Sequence, residues 1–125
     1  MFEPVIHTYT RAEALADGVL FDCGDLAREA GFTWPVAVSQ RLYSDYLTPS
    51  PDLIRAGASF TGRLWDVLTV LRYAIKNSKA DCFLRFTVLV LMSPDTAPVP
   101  IELVSVAGPD DDGSPCITIM LPDED

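Results

Sequence analysis

The sequence is short of the residues that most often build catalytic and metal sites. It has one histidine, His7, and three cysteines, Cys23, Cys82 and Cys116. No two of these cysteines form a C-x-x-C pair, so the ligand spacing of a zinc finger is missing. A glycine-rich phosphate loop and a G-x-S-x-G elbow are missing as well. The sequence therefore predicts no catalytic residues, no metal and no cofactor. It also predicts free thiols, with a disulfide between two of the cysteines as the alternative.

Long apolar runs are also missing. The longest strongly apolar run covers residues 86–92, whereas a helix that spans a bilayer needs about 20 residues. The first residues lack the basic region followed by an apolar region that is typical of a secretory signal. We therefore expect no membrane association and a cytoplasmic location, where cysteines stay reduced.

Basic residues are missing from the last third of the chain. The net charge is −9 at pH 7, and neither Lys nor Arg follows Arg85. Such a negative field opposes direct binding to nucleic acid and favours a basic surface on a partner protein. On charge alone, however, a role in solubility ranks ahead of such a partner surface. The acidic residues after Arg85 are Asp95, Glu102, Asp110, Asp111, Asp112, Asp123, Glu124 and Asp125.

The strongest pattern in the chain is an amphipathic helix over about residues 59–77, which Ser59 can cap. Its apolar residues recur at steps of three and four, which places them on one face of the helix. We expect that face to lie on a sheet. Tyr43, Trp65 and Tyr73 are expected to pack in the core, with an exposed aromatic patch as the alternative. The apolar face comprises Leu64, Val67, Leu68, Leu71, Ala74 and Ile75.

Three strands are predicted after this helix, over residues 82–92, 99–107 and 115–121. The connections between them are short, and the second is an Asp-Asp-Asp-Gly hairpin loop. We therefore expect an antiparallel three-stranded sheet with the long helix on one face. Leu89 lies on the second side of the first strand, whose later half is expected to be covered on both faces.

The first half of the chain predicts short helices and extended segments within one α+β domain, residues 1–125. Residues 19–21 and 34–38 are expected to be extended, and residues 48–58 are expected to form a surface loop. The predicted helices are 11–16, with a Thr10–Glu13 capping box, 24–30, capped by Asp22, and 40–47, capped by Ser39.

Two groups of residues are candidates for contact with a partner. The first is the hairpin carboxylates, Asp110, Asp111 and Asp112, which can present negative charge like neighbouring phosphates, with Glu102 as the next candidate. The second is Tyr43 and Tyr46 on the third helix, together with the adjoining loop 48–58. The oligomeric state does not follow from the sequence.

Four segments, 5–20, 27–32, 62–68 and 108–122, resemble a family of small acidic proteins of unknown function encoded on proteobacterial plasmids and other mobile elements. The opening segment and Gly62-Arg63-Leu64-Trp65-Asp66 are the most specific, and residues 43–58 depart from the pattern. Genes of this kind often accompany antirestriction functions, and small acidic proteins of mobile elements often inhibit host defence, including CRISPR effectors. The resemblance implies no catalytic residues.

The sequence therefore favours an inhibitor of a bacterial defence complex, a CRISPR effector or a restriction enzyme, that binds through an acidic surface resembling DNA. An accessory interaction module of a plasmid or mobile element, whose acidity only serves solubility, is the alternative. A small enzyme whose site the sequence does not reveal is the third hypothesis. A pull-down with a defence complex separates the first two.

Overall fold

A computed structural model describes residues 10–78 and 82–124 of the protein. They form an α+β fold in which short helices and one long helix surround a five-stranded mixed sheet. The helices are α1 (Arg11–Ala16), α2 (Asp25–Glu29), α3 (Gln40–Leu42), α4 (Pro51–Arg55) and α5 (Phe60–Lys76), and the strands are β1 (Leu20–Asp22), β2 (Val36–Ser39), β3 (Phe83–Val90), β4 (Val99–Pro109) and β5 (Pro115–Met120).

The first two helices begin differently. The predicted capping box of α1 is confirmed, because the Thr10 side chain accepts from the Glu13 amide and the Glu13 carboxylate accepts from the Thr10 amide. The predicted Asp22 cap of α2 is wrong. Gly24 holds the cap position with φ of 61°, and Asp22 Oδ1 accepts from the Gly24 amide at 2.8 Å. Asp22 therefore orders the turn before the helix and does not cap it.

The third helix changes its hydrogen-bond period after one turn. Ser39 caps α3 as predicted, by accepting from the Leu42 amide. Residues Tyr43–Leu47 then continue as a π-helix. The Thr48 hydroxyl donates to the Tyr43 carbonyl at 2.9 Å where the π-helix ends. The predicted bounds of the helix are confirmed, but its second half is of a rare type that often lies at functional sites.

The predicted loop over residues 48–58 is wrong, because it contains helix α4. The Ser50 side chain caps this helix by accepting from the Leu53 amide, and Pro51 occupies its first turn. Proline suits that position because the amide it lacks would have no partner within the helix. Leu53 is buried and anchors the short helix to the rest of the protein.

The sheet has the strand order β1-β2-β5-β4-β3. The predicted antiparallel pairs β3–β4 and β4–β5 are confirmed. The prediction of three strands is wrong, because β2 pairs in parallel with β5, with Val36 opposite Ile117, and β1 pairs antiparallel with β2. Strands this far apart in the sequence pair only in the folded chain, so local sequence patterns do not reveal the contact.

Helix α5 packs on one face of the sheet and forms the core with it. Ser59 caps this helix as predicted, by accepting from the Gly62 amide at 2.9 Å. Helix α1 lies on the other face, where its Arg11 contacts Thr118 of β5. The core includes Leu64, Val67, Leu68 and Leu71 of α5, Phe86, Val88 and Val90 of β3, Leu103 of β4, Ile117 and Ile119 of β5, and Val36 and Val38 of β2.

Several large side chains are more exposed than the sequence predicts. Leu89 is 64% exposed, so the later half of β3 is not covered on both faces. Tyr73 is 70% exposed and does not pack in the core, and Trp65 is 38% exposed. Tyr43 is partly buried against the core as predicted.

In residues 10–78 and 82–124 there is no helix with the length and the apolar character to cross a membrane.

Candidate functional site

The acidic hairpin between β4 and β5 is a tight turn. The Asp110 amide donates to the Ser114 carbonyl at 2.6 Å, and the Gly113 amide donates to the Asp110 carbonyl at 2.9 Å. Gly113 has φ of 87°, a left-handed conformation that glycine adopts without steric cost. The glycine after the three aspartates is therefore what lets the chain reverse here.

Each aspartate of the hairpin accepts hydrogen bonds from backbone amides. Asp110 Oδ1 accepts from the Asp111 amide at 2.7 Å, and Asp112 Oδ1 accepts from the Ser114 amide at 2.9 Å. Hydrogen bonds from Ser114 lower the pKa of Asp112, because they stabilise its charged form. These contacts hold the carboxylates in defined positions at the surface.

Asp111 joins the hairpin to helix α1. Its two carboxylate oxygens accept from the Arg11 amide at 2.8 Å and from the Ala12 amide at 3.0 Å. The Arg11 side chain reaches back to β5, where it donates to the Thr118 hydroxyl at 2.6 Å and to the Ile117 carbonyl at 2.9 Å. The sequence alone does not reveal this role of Arg11, because the carboxylate that binds the start of α1 lies about a hundred residues further along the chain.

Glu102 lies apart from the hairpin. It precedes Asp110 by eight positions, a span of roughly 26 Å along β4 at about 3.3 Å per residue. Its carboxylate forms an ion pair with Arg85 of the adjacent strand at 3.2 Å, and both side chains are 54% exposed. An exposed pair of this kind contributes little to stability.

Tyr43 and Tyr46 lie in a third place, on the π-helix. The Tyr43 ring stacks on Phe21, with the ring centroids 4.1 Å apart, and tilts against Phe60 at 4.7 Å. The Tyr46 carbonyl accepts from Arg63 Nη1 at 2.8 Å. The six residues predicted to bind a partner therefore fall in three separate regions of the surface and do not form one patch.

The Tyr46 region borders a groove that the sequence analysis missed. Its volume is about 340 Å³, and it lies between the π-helix, the α4–α5 connection, the first half of α5 and the end of β3. Apolar residues form most of its lining, and the charged side chains at its edge are Arg63 and Asp66. The only hint in the sequence is an arginine placed beside the apolar face of the long helix.

Arg63 holds two elements together at this groove. Its guanidinium donates to the Tyr46 carbonyl of the π-helix and to the Leu91 carbonyl just after β3. Within the described part of the chain, Arg63 belongs to none of the ion pairs. Burial lowers the pKa of Arg63, because removal from water disfavours its charged form.

The three cysteines are free in the structure. Cys23 and Cys116 are buried, whereas Cys82 is exposed. Burial raises the pKa of Cys23 to about 12, and Asp22 contributes to the same shift. Burial also raises the pKa of Cys116.

His7 lies outside the described residues, and within those residues no three His, Cys, Asp or Glu side chains cluster in a way that could hold a metal ion.

We predict that only one thiol of the native protein reacts rapidly with a disulfide reagent at pH 8. Cys82 is exposed, whereas burial shields Cys23 and Cys116 from the reagent and, by raising their pKa values, reduces the thiolate fraction of both. Cys82→Ser should abolish the rapid phase, and denaturant should release the other two thiols. Rapid reaction of the Cys82→Ser protein, or a disulfide found by mass spectrometry without reductant, would contradict this prediction.

The fold and the sites together define a small acidic α+β protein, with a fixed acidic hairpin at one end of β4 and an apolar groove beside the end of β3. The model of a family of unknown function, DUF6573, matches residues 2–125, and the chain belongs to this family. No curated protein and no solved structure is significantly similar to the chain. The predicted membership of a family of unknown function is thus confirmed, while the mobile-element origin and the role against host defence stay predictions.

Proposed function

We propose that this protein acts without catalysis, by binding a basic surface of another protein through the acidic hairpin, and that the partner is a bacterial defence complex. A CRISPR effector or a restriction enzyme has such a surface, because it must bind the phosphates of DNA. The protein would then occupy that surface and would not itself bind nucleic acid. The choice of a defence complex rests on the resemblance of the sequence to proteins of mobile elements.

The observation that carries the proposal is that the three hairpin carboxylates are charged, adjacent and held in place. Asp110 and Asp112 are fixed by amides of their own turn, and Asp111 by the first turn of α1. Side chains that are already ordered lose less conformational freedom when a partner binds. A fixed group of carboxylates therefore suits recognition.

The distribution of charge supports the same proposal. Within the described ranges 10–78 and 82–124, arginines pair with Asp25, Asp52, Glu102 and Asp123, and none of these ion pairs includes a hairpin aspartate. Among the described residues, the negative charge of the hairpin is therefore offset by hydrogen bonds from amides and by the nearby Arg11, and not by an ion pair. Unpaired surface charge of one sign steers a partner of the opposite sign and raises the rate of association.

The test compares two variants that each remove two negative charges. Asp110→Asn/Asp112→Asn removes them from the hairpin and leaves Asp111, because Asp111 holds α1. Glu29→Gln/Asp95→Asn is the matched control, since both of its residues are exposed and lie outside the hairpin and outside residues 43–58. Affinity for an immobilised CRISPR effector or restriction enzyme is measured at 50 and 300 mM salt. We expect the hairpin variant to bind roughly 3–30-fold more weakly at low salt, with a shallower salt dependence.

The control decides between local recognition and overall charge. Equal weakening in both variants would mean that only net charge matters, which contradicts a hairpin site. If neither variant changes binding or inhibition, the acidity serves solubility and the accessory interaction module becomes the better explanation. Attention would then move to Tyr43, Tyr46 and residues 48–58. Failure of wild-type protein to bind any defence complex would reject the proposed class of partner.

A further inference from the structure

We propose that the groove between the π-helix, α5 and β3 binds a small molecule with an apolar body and a single carboxylate, and that Arg63 binds the carboxylate. This site is separate from the acidic hairpin and does not depend on the function proposed above. Three features of the groove carry the proposal: its size, its apolar floor and the charge at its edge.

The size and the floor of the groove determine the body of the ligand. A volume of 340 Å³ holds about ten non-hydrogen atoms, if each takes the ~30 Å³ that a water molecule occupies in the liquid. The residues at its floor belong to the hydrophobic core, so a polar ligand would lose its water there without gaining hydrogen bonds. The floor comprises Leu47, Val67, Val88, Val90 and Leu103.

The charge at the edge determines the head group. An arginine side chain has five N–H donors. Arg63 donates to two protein acceptors, the carbonyls of Tyr46 and Leu91. A carbonyl oxygen accepts a hydrogen bond but carries no net charge, so the partly buried guanidinium has no counter-ion in direct contact among the residues that the structure describes. A ligand carboxylate supplies one, and its hydrogen bonds to arginine are charge-assisted.

The same contacts give the site its geometry and its selectivity. The two carbonyls fix the guanidinium between the π-helix and the end of β3, so it does not have to be ordered when a ligand arrives. Asp66 also lines the groove, one helical turn after Arg63. Its negative charge opposes ligands with several charges, such as phosphate esters. A single carboxylate therefore fits better than a polyanion.

The experiment titrates the full-length protein with octanoate, 1-octanol and acetate, and follows the backbone amide signals by NMR. Octanoate has the predicted body and head group, 1-octanol has only the body, and acetate has only the head group. We expect octanoate to shift the signals of residues around the groove in a saturable way and to bind about tenfold more tightly than 1-octanol. Acetate should give no saturable shift. Equal affinity for octanoate and 1-octanol, or shifts located elsewhere, would overturn the proposal.

Two variants with matched controls test the assignment of residues. Arg63→Met should remove the preference for octanoate over 1-octanol, whereas Arg72→Met should keep it, because Arg72 donates to the Gly31 carbonyl and does not line the groove. Ala58→Phe should fill the groove and abolish octanoate binding, whereas Ala56→Phe, outside the groove, should not. If Arg63→Met fails to fold, the Ala58→Phe result decides alone, and unchanged octanoate binding in that variant would overturn the proposal.

Discussion

Replacing Leu68 with alanine is expected to lower the free energy of unfolding by about 2–5 kcal/mol. Leu68 has 0% of its surface exposed, and it belongs to the cluster in which α5 packs on the sheet. The change to alanine removes apolar contacts between α5 and the sheet and leaves a cavity. The surrounding side chains can fill this cavity only in part, because they are themselves packed in the core. For a domain of this size, a loss of that magnitude is a large fraction of the total stability.

The control for Leu68→Ala is Tyr73→Ala, on the same helix. Tyrosine loses more atoms than leucine in this change, but Tyr73 is 70% exposed, so its removal should alter stability by about 0.5 kcal/mol or less. Urea denaturation followed by circular dichroism measures both. A similar midpoint for Leu68→Ala and wild type would show that the buried face of α5 is assigned incorrectly.

Replacing Asp111 with alanine is expected to lower the free energy of unfolding by about 1–2 kcal/mol and to loosen helix α1. The Asp111 carboxylate accepts from the amides of both Arg11 and Ala12, which are in the first turn of α1 and have no acceptor within the helix. Its loss leaves α1 attached to the sheet through the Arg11 side chain and through apolar packing.

The control for Asp111→Ala is Asp112→Ala, which removes the same group from the same turn. Among the described residues, Asp112 accepts hydrogen bonds from Ser114 of its own hairpin and not from α1, so its loss should destabilise the protein less. Hydrogen exchange distinguishes the two, because Asp111→Ala should speed exchange at the α1 amides and Asp112→Ala should not. Equal exchange at α1 in both variants would mean that Asp111 does not hold this helix.

Asp111 has a structural role within the turn that we propose as a binding surface. In the sequence, the three adjacent aspartates are equivalent candidates for a charged surface, since their spacing alone does not distinguish them. The structure separates them, because Asp110 and Asp112 bind only their own turn while Asp111 binds another element. A variant that lacks all three carboxylates would therefore not distinguish a loss of partner binding from a loss of stability.

The sequence by itself determined the elements whose causes are local. A capping box at Thr10, caps at Ser39 and Ser59, the buried positions of α5 and the β3–β4–β5 meander all follow from residues a few positions apart or from short connections, although Ile75 of the predicted apolar face is 38% exposed. Periodicity and capping act over one or two turns of chain, so they can be read without knowledge of the fold. The acidic character of the last third was equally visible.

Only the tertiary structure decided the features that depend on contacts between distant segments. The parallel pairing of β2 with β5, together with the β1–β2 pair, extends the sheet from three strands to five, and Arg63 joins the π-helix to the residue after β3 beside the groove. Each of these is a contact between residues that are remote in sequence. Such contacts form only when the packing of the whole chain offsets the entropy of closing long loops, and no local pattern records that balance.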